Sequence, residues 1–297
     1  MSVQRIHAGR GGFSVIGRLL ISCEDRPGIV AAVSRFLADE GANIIHSDQH
    51  STDPVGGLFF MRIEFQLHGI EDMINELRNR FEQTAAAFQM KWRMSCASDK
   101  KKIAIFVSKE DHCLQDLLQR YRLGELSAEI AMIVSNHNDM REIVEPFGIP
   151  YHHVQATKET REEAAITHLE LLEEAGVDTV VLARYMQIIP PVMIERFKNR
   201  IINIHHSFLP AFVGGKPYNQ AYDRGVKIIG ATAHYVTEEL DQGPIIEQDV
   251  ERVSHRYQIK DLKRVGRDVE KLVLSRAVGW HLDDKVLVYE NKTVVFP

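Results

Sequence analysis

The sequence predicts an α/β protein of two domains, a βαββαβ module ahead of an open, mostly parallel sheet with helices on both faces. Three observations carry this expectation. The early part of the chain reads strand, helix, strand, strand, helix, strand by hydrophobic period. A polar, charged stretch, ASDKKK at 97–102, then interrupts the pattern. From Ile103 onward, nearly all-apolar strands alternate with helices, as in a parallel sheet covered on both sides. The boundaries read this way are 1–96, a linker at 97–102, and 103–297.

Residues 15–23, VIGRLLISC, form the first expected strand. In RPGIVAAVSRFLADEGANI, the residues Ile29, Val30, Val33, Phe36 and Leu37 share one helical face, with Pro27 suited to the first turn and Gly41 to the stop. NIIHSDQHS and GLFFMRIEFQL follow as strands joined by the turn cluster TDPVGG. An amphipathic helix over 71–87 leads into the strand FQMKWRMSC, which completes a ferredoxin-like arrangement. Beyond the linker, IAIFVS, AEIAMIVSN, YHHVQ, VDTVVLAR and RIINIHH read as strands. HCLQDLLQRYR, DMREIVEPFG, ETREEAAITHLELLEEAG and PPVMIERFKN read as the helical links between them. KIIGATAHYV and GPIIEQDVERV are expected to pair, ahead of a long helix within 257–282 and a hairpin, KVLVYENKTVVF.

Composition limits the function classes. A chain of 297 residues with 44% hydrophobic and 26% charged residues has the balance of a globular protein with a sizeable core. A net charge of −5 is mild, so bulk electrostatics suggest neither a nucleic-acid groove nor an anionic membrane surface as partner. Cys23, Cys96 and Cys113 are odd in number, widely spaced and without a CxxC, so buried reduced thiols are expected rather than a disulfide frame. The amino-terminal MSVQRIHAGRGGFS lacks the apolar core of an export signal. The most apolar region, TVVLARYMQIIPPVMI, is broken by Arg184, Gln187 and a proline pair and cannot span a bilayer. These features place the expected protein in the cytoplasm, with neither nucleic acid nor membrane as partner.

Ligands of open parallel sheets bind beyond the carboxyl ends of the strands. The strand RIINI ends in a polar cluster, Asn203, His205, His206 and Ser207. Asn203 and His205 are separated by one residue and so project to the same side of a strand. An amide N–H beside an imidazole can stabilise a developing oxyanion while the ring moves a proton. Such a ring needs a partner to fix its tautomer, and Asp241 in TEELDQGPII, a turn closed by Gly243, is the candidate carboxylate. Taken singly, the same residues are equally a strand-end cap, a satisfied histidine and a turn aspartate, and spacing alone leaves these alternatives open.

Longer motifs add to the spacing. Through NIHHSFLPAF, GATAHYVTEELDQGPII and the ARYMQII stretch before the proline pair, residues 103–280 resemble the formyltetrahydrofolate-utilising formyltransferase family. The resemblance implies a Rossmann-like sheet and Asn203, His205 and Asp241 as catalytic trio. It also implies backbone contacts to the folate pterin at Met186, Gln187, Ile188 and Ile189 and at Thr237, Glu238, Glu239 and Leu240. Through EDRPGIVAAVSRFLADEGANI the first module resembles the ACT domain, whose members bind amino acids between paired copies. That implies an amino-acid effector, methionine or glycine, near Asp25, Arg26, Gly28 and Asn43, and a homo-oligomer, dimer or tetramer. The fusion of the two modules implies hydrolysis of 10-formyltetrahydrofolate to formate and tetrahydrofolate, supplying formate for purine synthesis and balancing the one-carbon pool. In that reading the folate is substrate rather than bound cofactor, water is the acceptor, and no metal takes part.

Departures from relatives sharpen the choice. In the glycinamide ribonucleotide transformylases the loop after the first strand of this fold is rich in Gly, Ser and Asn, and its backbone N–H groups hold the substrate phosphate. The matching loop here, SKEDHC at 108–113, has no glycine and would set Glu110 and Asp111 against a phosphate. Its other reading, a helix cap through Asp111, disfavours phosphate as well. His206 stands where those relatives usually have proline, either placing water or bonding the loop, and His234 in ATAHYV is a second histidine able to face the site. His152 and His153 lack the HxxxH or carboxylate spacing of a zinc site. The competing expectations are formyl transfer to an amine and an amino-acid sensor whose folate domain is inactive.

Overall fold

Alternating side chains build the first sheet of the computed structural model, which describes residues 15–53, 55–157, 159–211 and 217–297. The amino-terminal segment 1–14, Pro54 of the turn cluster and Phe212 at the end of the strand-end motif lie outside the described residues. The chain divides between Asp99 and Lys100 into two compact units.

The first unit runs β1 (Ile16–Glu24), α1 (Ile29–Asp39), β2 (Asn43–Ser51), β3 (Leu58–Gln66), α2 (Ile70–Ala87) and β4 (Lys91–Cys96). Its sheet is antiparallel in the order β2-β3-β1-β4. Leu19, Ile21 and Cys23 of β1 share a face with Phe59, Met61, Ile63 and Phe65 of β3, and Ile29, Val33 and Leu37 of α1 and Leu77 and Phe81 of α2 close over them. Pro27 lies outside α1 and not in its first turn. Gly28, at φ +98°, is the N-cap, and this left-handed turn places the proline one residue ahead of the cap. Gly41 does end α1: at φ +75° it lets Ala42 N–H reach Leu37 O and its own N–H reach Ala38 O, a Schellman closure.

The second unit comprises β5 (Lys101–Val107), α3 (His112–Leu123), β6 (Ala128–Ser135), α4 (Arg141–Val144) with a 3-10 turn at Glu145–Phe147, β7 (Tyr151–His153), α5 (Arg161–Glu174), β8 (Thr179–Ala183), α6 (Pro191–Arg196) and β9 (Ile201–His205). It continues through α7 (Pro217–Asp223), β10 (Ile228–Tyr235), β11 (Ile245–Arg252), α8 (Ile259–Leu282) and the hairpin β12 (Val286–Tyr289) and β13 (Lys292–Val295). The sheet order is β11-β10-β9-β8-β5-β6-β7, parallel from β9 to β7 and antiparallel through β10 and β11. β5 starts at Lys101, so the last two residues of the expected linker are strand, and Lys101 Nζ lies 2.7 Å from Asp284 Oδ1.

Period two along β9 positions the site. Ile202 and Ile204 point into the core shared with Val273, Leu274 and Ala277 of α8, and Ile201 points into the opposite core with Val180, Phe106 and Leu172. Asn203 and His205 occupy the alternate positions at the carboxyl end of the strand. β5 lies between β8 and β6, the point at which the strand order reverses and where a crevice opens at the carboxyl edge.

Candidate active site

Two strands and one tight turn bring the polar side chains together. Antiparallel pairing sets Asn203 of β9 directly opposite His234 of β10, and His205 opposite Thr232. His234 Nδ1–H donates to the Tyr235 carbonyl at 2.9 Å, leaving Nε2 to accept from the Asn203 amide Nδ2 at 3.2 Å. That bond uses one amide N–H and fixes the orientation of the other. Asp241 follows β10 in a turn where it adopts φ +57°, a left-handed conformation an aspartate tolerates better than most residues. The turn is pressed against β10, because a Cβ on Gly243 would stand 1.7 Å from the Tyr235 carbonyl oxygen. Only glycine allows this approach, and it places the Asp241 carboxylate 3.3 Å from His205 Nδ1, with Oδ1 3.7 Å from His234 Nε2.

Burial acts to raise the pKa of Asp241, but the hydrogen bond from the His205 imidazole opposes it, and the carboxyl is held well below the usual carboxylate range. An ionised Asp241 beside His205 Nδ1 keeps the proton on that nitrogen. His205 Nε2 is then the basic atom, and it is buried without a hydrogen-bond partner among the described residues.

These groups line a cleft of about 320 Å³ together with Met186, Gln187, Ile188 and Ile189 on one wall and Thr237, Glu238 and Leu240 on another. Glu239, expected as a folate contact, is exposed and is not part of the lining. Met186, Ile188 and Leu240 are each more than half exposed, an apolar rim suited to a flat heterocycle. Ser108 O–H donates to Asn136 Oδ1 at 2.7 Å and accepts from Met186 N–H at 2.9 Å, which pins the Met186 segment to the end of β5. His206 lines the same cleft, its ring tilted 41° to that of His205 with 5.2 Å between centroids, and burial with the nearby Arg184 lowers its pKa to about 3.

The loop at 108–113 differs from a simple cap. Asp111 occupies the N-cap position of α3, but its carboxylate accepts from the Gln115 side chain at 2.7 Å and not from the α3 backbone. His152 and His153 lie on the edge strand β7, and neither belongs to a metal-ligating group among the described residues. Cys23, Cys96 and Cys113 are all buried free thiols. No helix among the described residues is long and apolar enough to cross a membrane.

One cluster escapes sequence reasoning. Glu270 of α8, 1% exposed, lies 2.8 Å from His112 Nε2, 3.4 Å from Arg184 Nε and 2.5 Å from the Tyr218 hydroxyl. Burial favours its neutral form, but His112 and Arg184 keep it ionised below the usual range. The available signal was a carboxylate set among the apolar positions of α8, next to Val269 and before Val273 and Leu274.

In the first unit, Asp25, Arg26 and Gly28 line one open hollow with Phe59, whereas Asn43 is exposed at the start of β2 and outside that lining. Asp25 accepts from the Ser51 hydroxyl, and Arg26 bonds the Ala87 carbonyl at 2.6 Å and lies over the Phe88 ring.

Residues 101–278 match the family model for formyl transferase and residues 17–82 that for the ACT domain. A protein named formyltetrahydrofolate deformylase from Bacillus subtilis strain 168 is 56% identical over 293 residues, covering 99% of this chain and 98% of its own. One of the same name from Escherichia coli K12 is 43% identical over 273 residues, covering 92% and 95%. The crystal structure of a formyltetrahydrofolate deformylase from Pseudomonas syringae pv. tomato DC3000 superposes with a TM-score of 0.91 at 50% identity, over 97% of this chain and 96% of that one. Glycinamide ribonucleotide transformylase 1 from Symbiobacterium toebii covers only 67% of this chain, at 30% identity and a TM-score of 0.63. With both modules present in the same order as in relatives matched end to end, the chain belongs to the formyltetrahydrofolate deformylases.

Proposed function

We propose that this chain hydrolyses 10-formyltetrahydrofolate to formate and tetrahydrofolate with water as the acceptor and no metal. The observation that carries the reading is His205: Nδ1 faces an ionised aspartate while Nε2 is buried, unpartnered among the described residues and lines the cleft. The pterin lies along Met186 to Ile189 and against Thr237, Glu238 and Leu240, which sets the formyl group against Asn203 and His205. Nε2 takes a proton from water as the oxygen attacks the formyl carbon. The oxyanion accepts from the Asn203 amide N–H left free by His234 and from the protonated His205. The bond from carbon to nitrogen 10 then breaks, and His205 returns the proton to that nitrogen. Asp241 stabilises the imidazolium throughout.

In this reading the products feed purine synthesis with formate and balance the one-carbon pool, in the cytoplasm. An amino acid reporting on that pool, methionine or glycine, binds the hollow at Asp25, Arg26 and Gly28 in a homo-oligomer of paired first units. The test of the site is formate release by purified protein carrying Asp241→Asn or Asn203→Ala. The first leaves His205 without its anionic partner and lowers kcat by about 10⁴-fold. The second removes an oxyanion donor and lowers kcat by about 100 to 1000-fold. Near-native turnover in either variant rejects the assignment.

A further inference from the structure

The hydrolysis described above makes no use of the buried cluster around Glu270. Five elements converge there, all at the carboxyl edge that carries Asn203 and His205. They supply His112 at the start of α3, Arg184 just after β8, His206 just after β9, Tyr218 on α7 and Glu270 on α8. Tyr218 reaches Glu270 only because Gly266, one helical turn earlier on α8, has no side chain. A Cβ there would lie 1.9 Å from the Tyr218 oxygen. The Tyr218 ring lies against His206 at 6.0 Å, and His206 lies against His205. Arg184 and His206 are themselves part of the cleft wall, so the cluster stands directly behind the reacting centre.

Charged groups are costly to bury, and a fold that keeps a carboxylate, a guanidinium and an imidazole together here spends stability on something other than packing. We infer that the cluster fills the acceptor side of the formyl carbon and determines the acceptor, admitting water and excluding an amine. The inference rests on the hydrolytic reading above and names the residues that enforce it. His112 opens α3, directly after the Asp111 N-cap. Its side chain is 9% exposed and turned inward onto Glu270. On this inference a substituted amine competes for space with His112 and Tyr218, each hydrogen-bonded to Glu270 behind the cleft wall, and water needs no such space. Each Glu270 oxygen already accepts a hydrogen bond, from His112 or from Tyr218, and the Arg184 guanidinium 3.4 Å away offsets its charge, which weakens any pull on an ammonium group. A metal at His112, Cys113 and Glu270 fits poorly. The Arg184 guanidinium lies 3.4 Å from the carboxylate, and burial pushes the Cys113 thiol well above its ordinary value.

Glycinamide serves as the probe. In a transfer step its nitrogen lone pair attacks the formyl carbon, a carbon–nitrogen bond forms to the probe, and the bond to nitrogen 10 breaks. The proton lost by the probe ends on nitrogen 10, giving N-formylglycinamide and tetrahydrofolate, both read by mass spectrometry alongside formate. Native protein is expected to release formate and to make no N-formylglycinamide above the enzyme-free control. His112→Ala raises the ratio of N-formylglycinamide to formate by about tenfold or more, whereas His112→Gln, which keeps bulk and an N–H donor, stays near native. A native protein that already formylates glycinamide overturns the inference, and this measurement needs no variant to fold. Formate release by His112→Ala with an unchanged ratio overturns it too. No formate from native protein instead rejects the hydrolytic reading, and this inference with it.

Discussion

Gly243→Ala tests how closely the aspartate turn must sit. The added Cβ would lie 1.7 Å from the Tyr235 carbonyl oxygen and 2.9 Å from the carbonyl carbon, both backbone atoms of a central strand that cannot turn away. Restoring an ordinary carbon–oxygen separation of about 3.3 Å requires the turn to move by roughly 1.6 Å. Asp241 is two residues away and lies 3.3 Å from His205 Nδ1, so a displacement of that size stretches the contact beyond hydrogen-bond reach. A misplacement of about 1 Å in a catalytic arrangement costs about 100-fold, and loss of the aspartate partner altogether about 10⁴-fold. kcat for formate release by Gly243→Ala is therefore expected to fall by about 100 to 10⁴-fold. KM is expected to rise as well, because Thr237, Glu238 and Leu240 of the displaced turn form one pterin wall while the wall at Met186 to Ile189 is untouched. The assay is formate release under saturating 10-formyltetrahydrofolate, with circular dichroism to show that the fold persists. A folded Gly243→Ala protein with kcat within a few-fold of native would refute the reasoning.

The remaining predictions concern acid, packing and the effector hollow. Asp241 and Glu270 are held below the usual carboxylate range and His206 is lowered to about 3, so at each site the unfolded chain binds its proton more readily than the folded one. The His206 contribution is lost as pH falls from the ordinary histidine value of about 6.5 toward about 3, and those of Asp241 and Glu270 as pH falls below about 4, at up to about 1.4 kcal/mol per pH unit for each group. Urea midpoints at pH 7, 5.5 and 4.5 check this, and a flat profile contradicts it. Gly17→Ala places a Cβ 2.4 Å from Phe65 Cζ and 2.5 Å from Ile70 Cδ1 in the first unit, and overpacking of that kind costs about 1–3 kcal/mol by chemical denaturation. Calorimetric titration with methionine and with glycine is expected to show binding that Gly28→Ala, strained at φ +98°, weakens, and heat from neither amino acid removes the effector proposal.

Much of the molecule could be read from local pattern. Apolar Ile202 and Ile204 alternate with Asn203 and His205, which announces a buried strand with a functional end, and Gly243 two residues after Asp241 marks the turn that carries the carboxylate. Pro27 misled because its preference for a first helical turn was weighed without the left-handed Gly28 that follows it. α7 went unseen because seven residues are too few for a helical period to register. The Glu270 cluster was illegible for a different reason. His112 and Glu270 are 158 residues apart, and their pairing exists only once the sheet sets the start of α3 beside α8. A side chain that works through distant partners leaves only a weak local trace, here a carboxylate on an apolar helical stripe.

Hydrolysis by water is the central claim, and isotope incorporation tests it most directly. Purified protein would be given 10-formyltetrahydrofolate in ¹⁸O-labelled water with no amine present, and formate and tetrahydrofolate would be followed together. The expected result is equimolar formate and tetrahydrofolate, with one solvent oxygen in each formate. Formation of tetrahydrofolate only when an amine is supplied, with the formyl group recovered on that amine, would contradict the account.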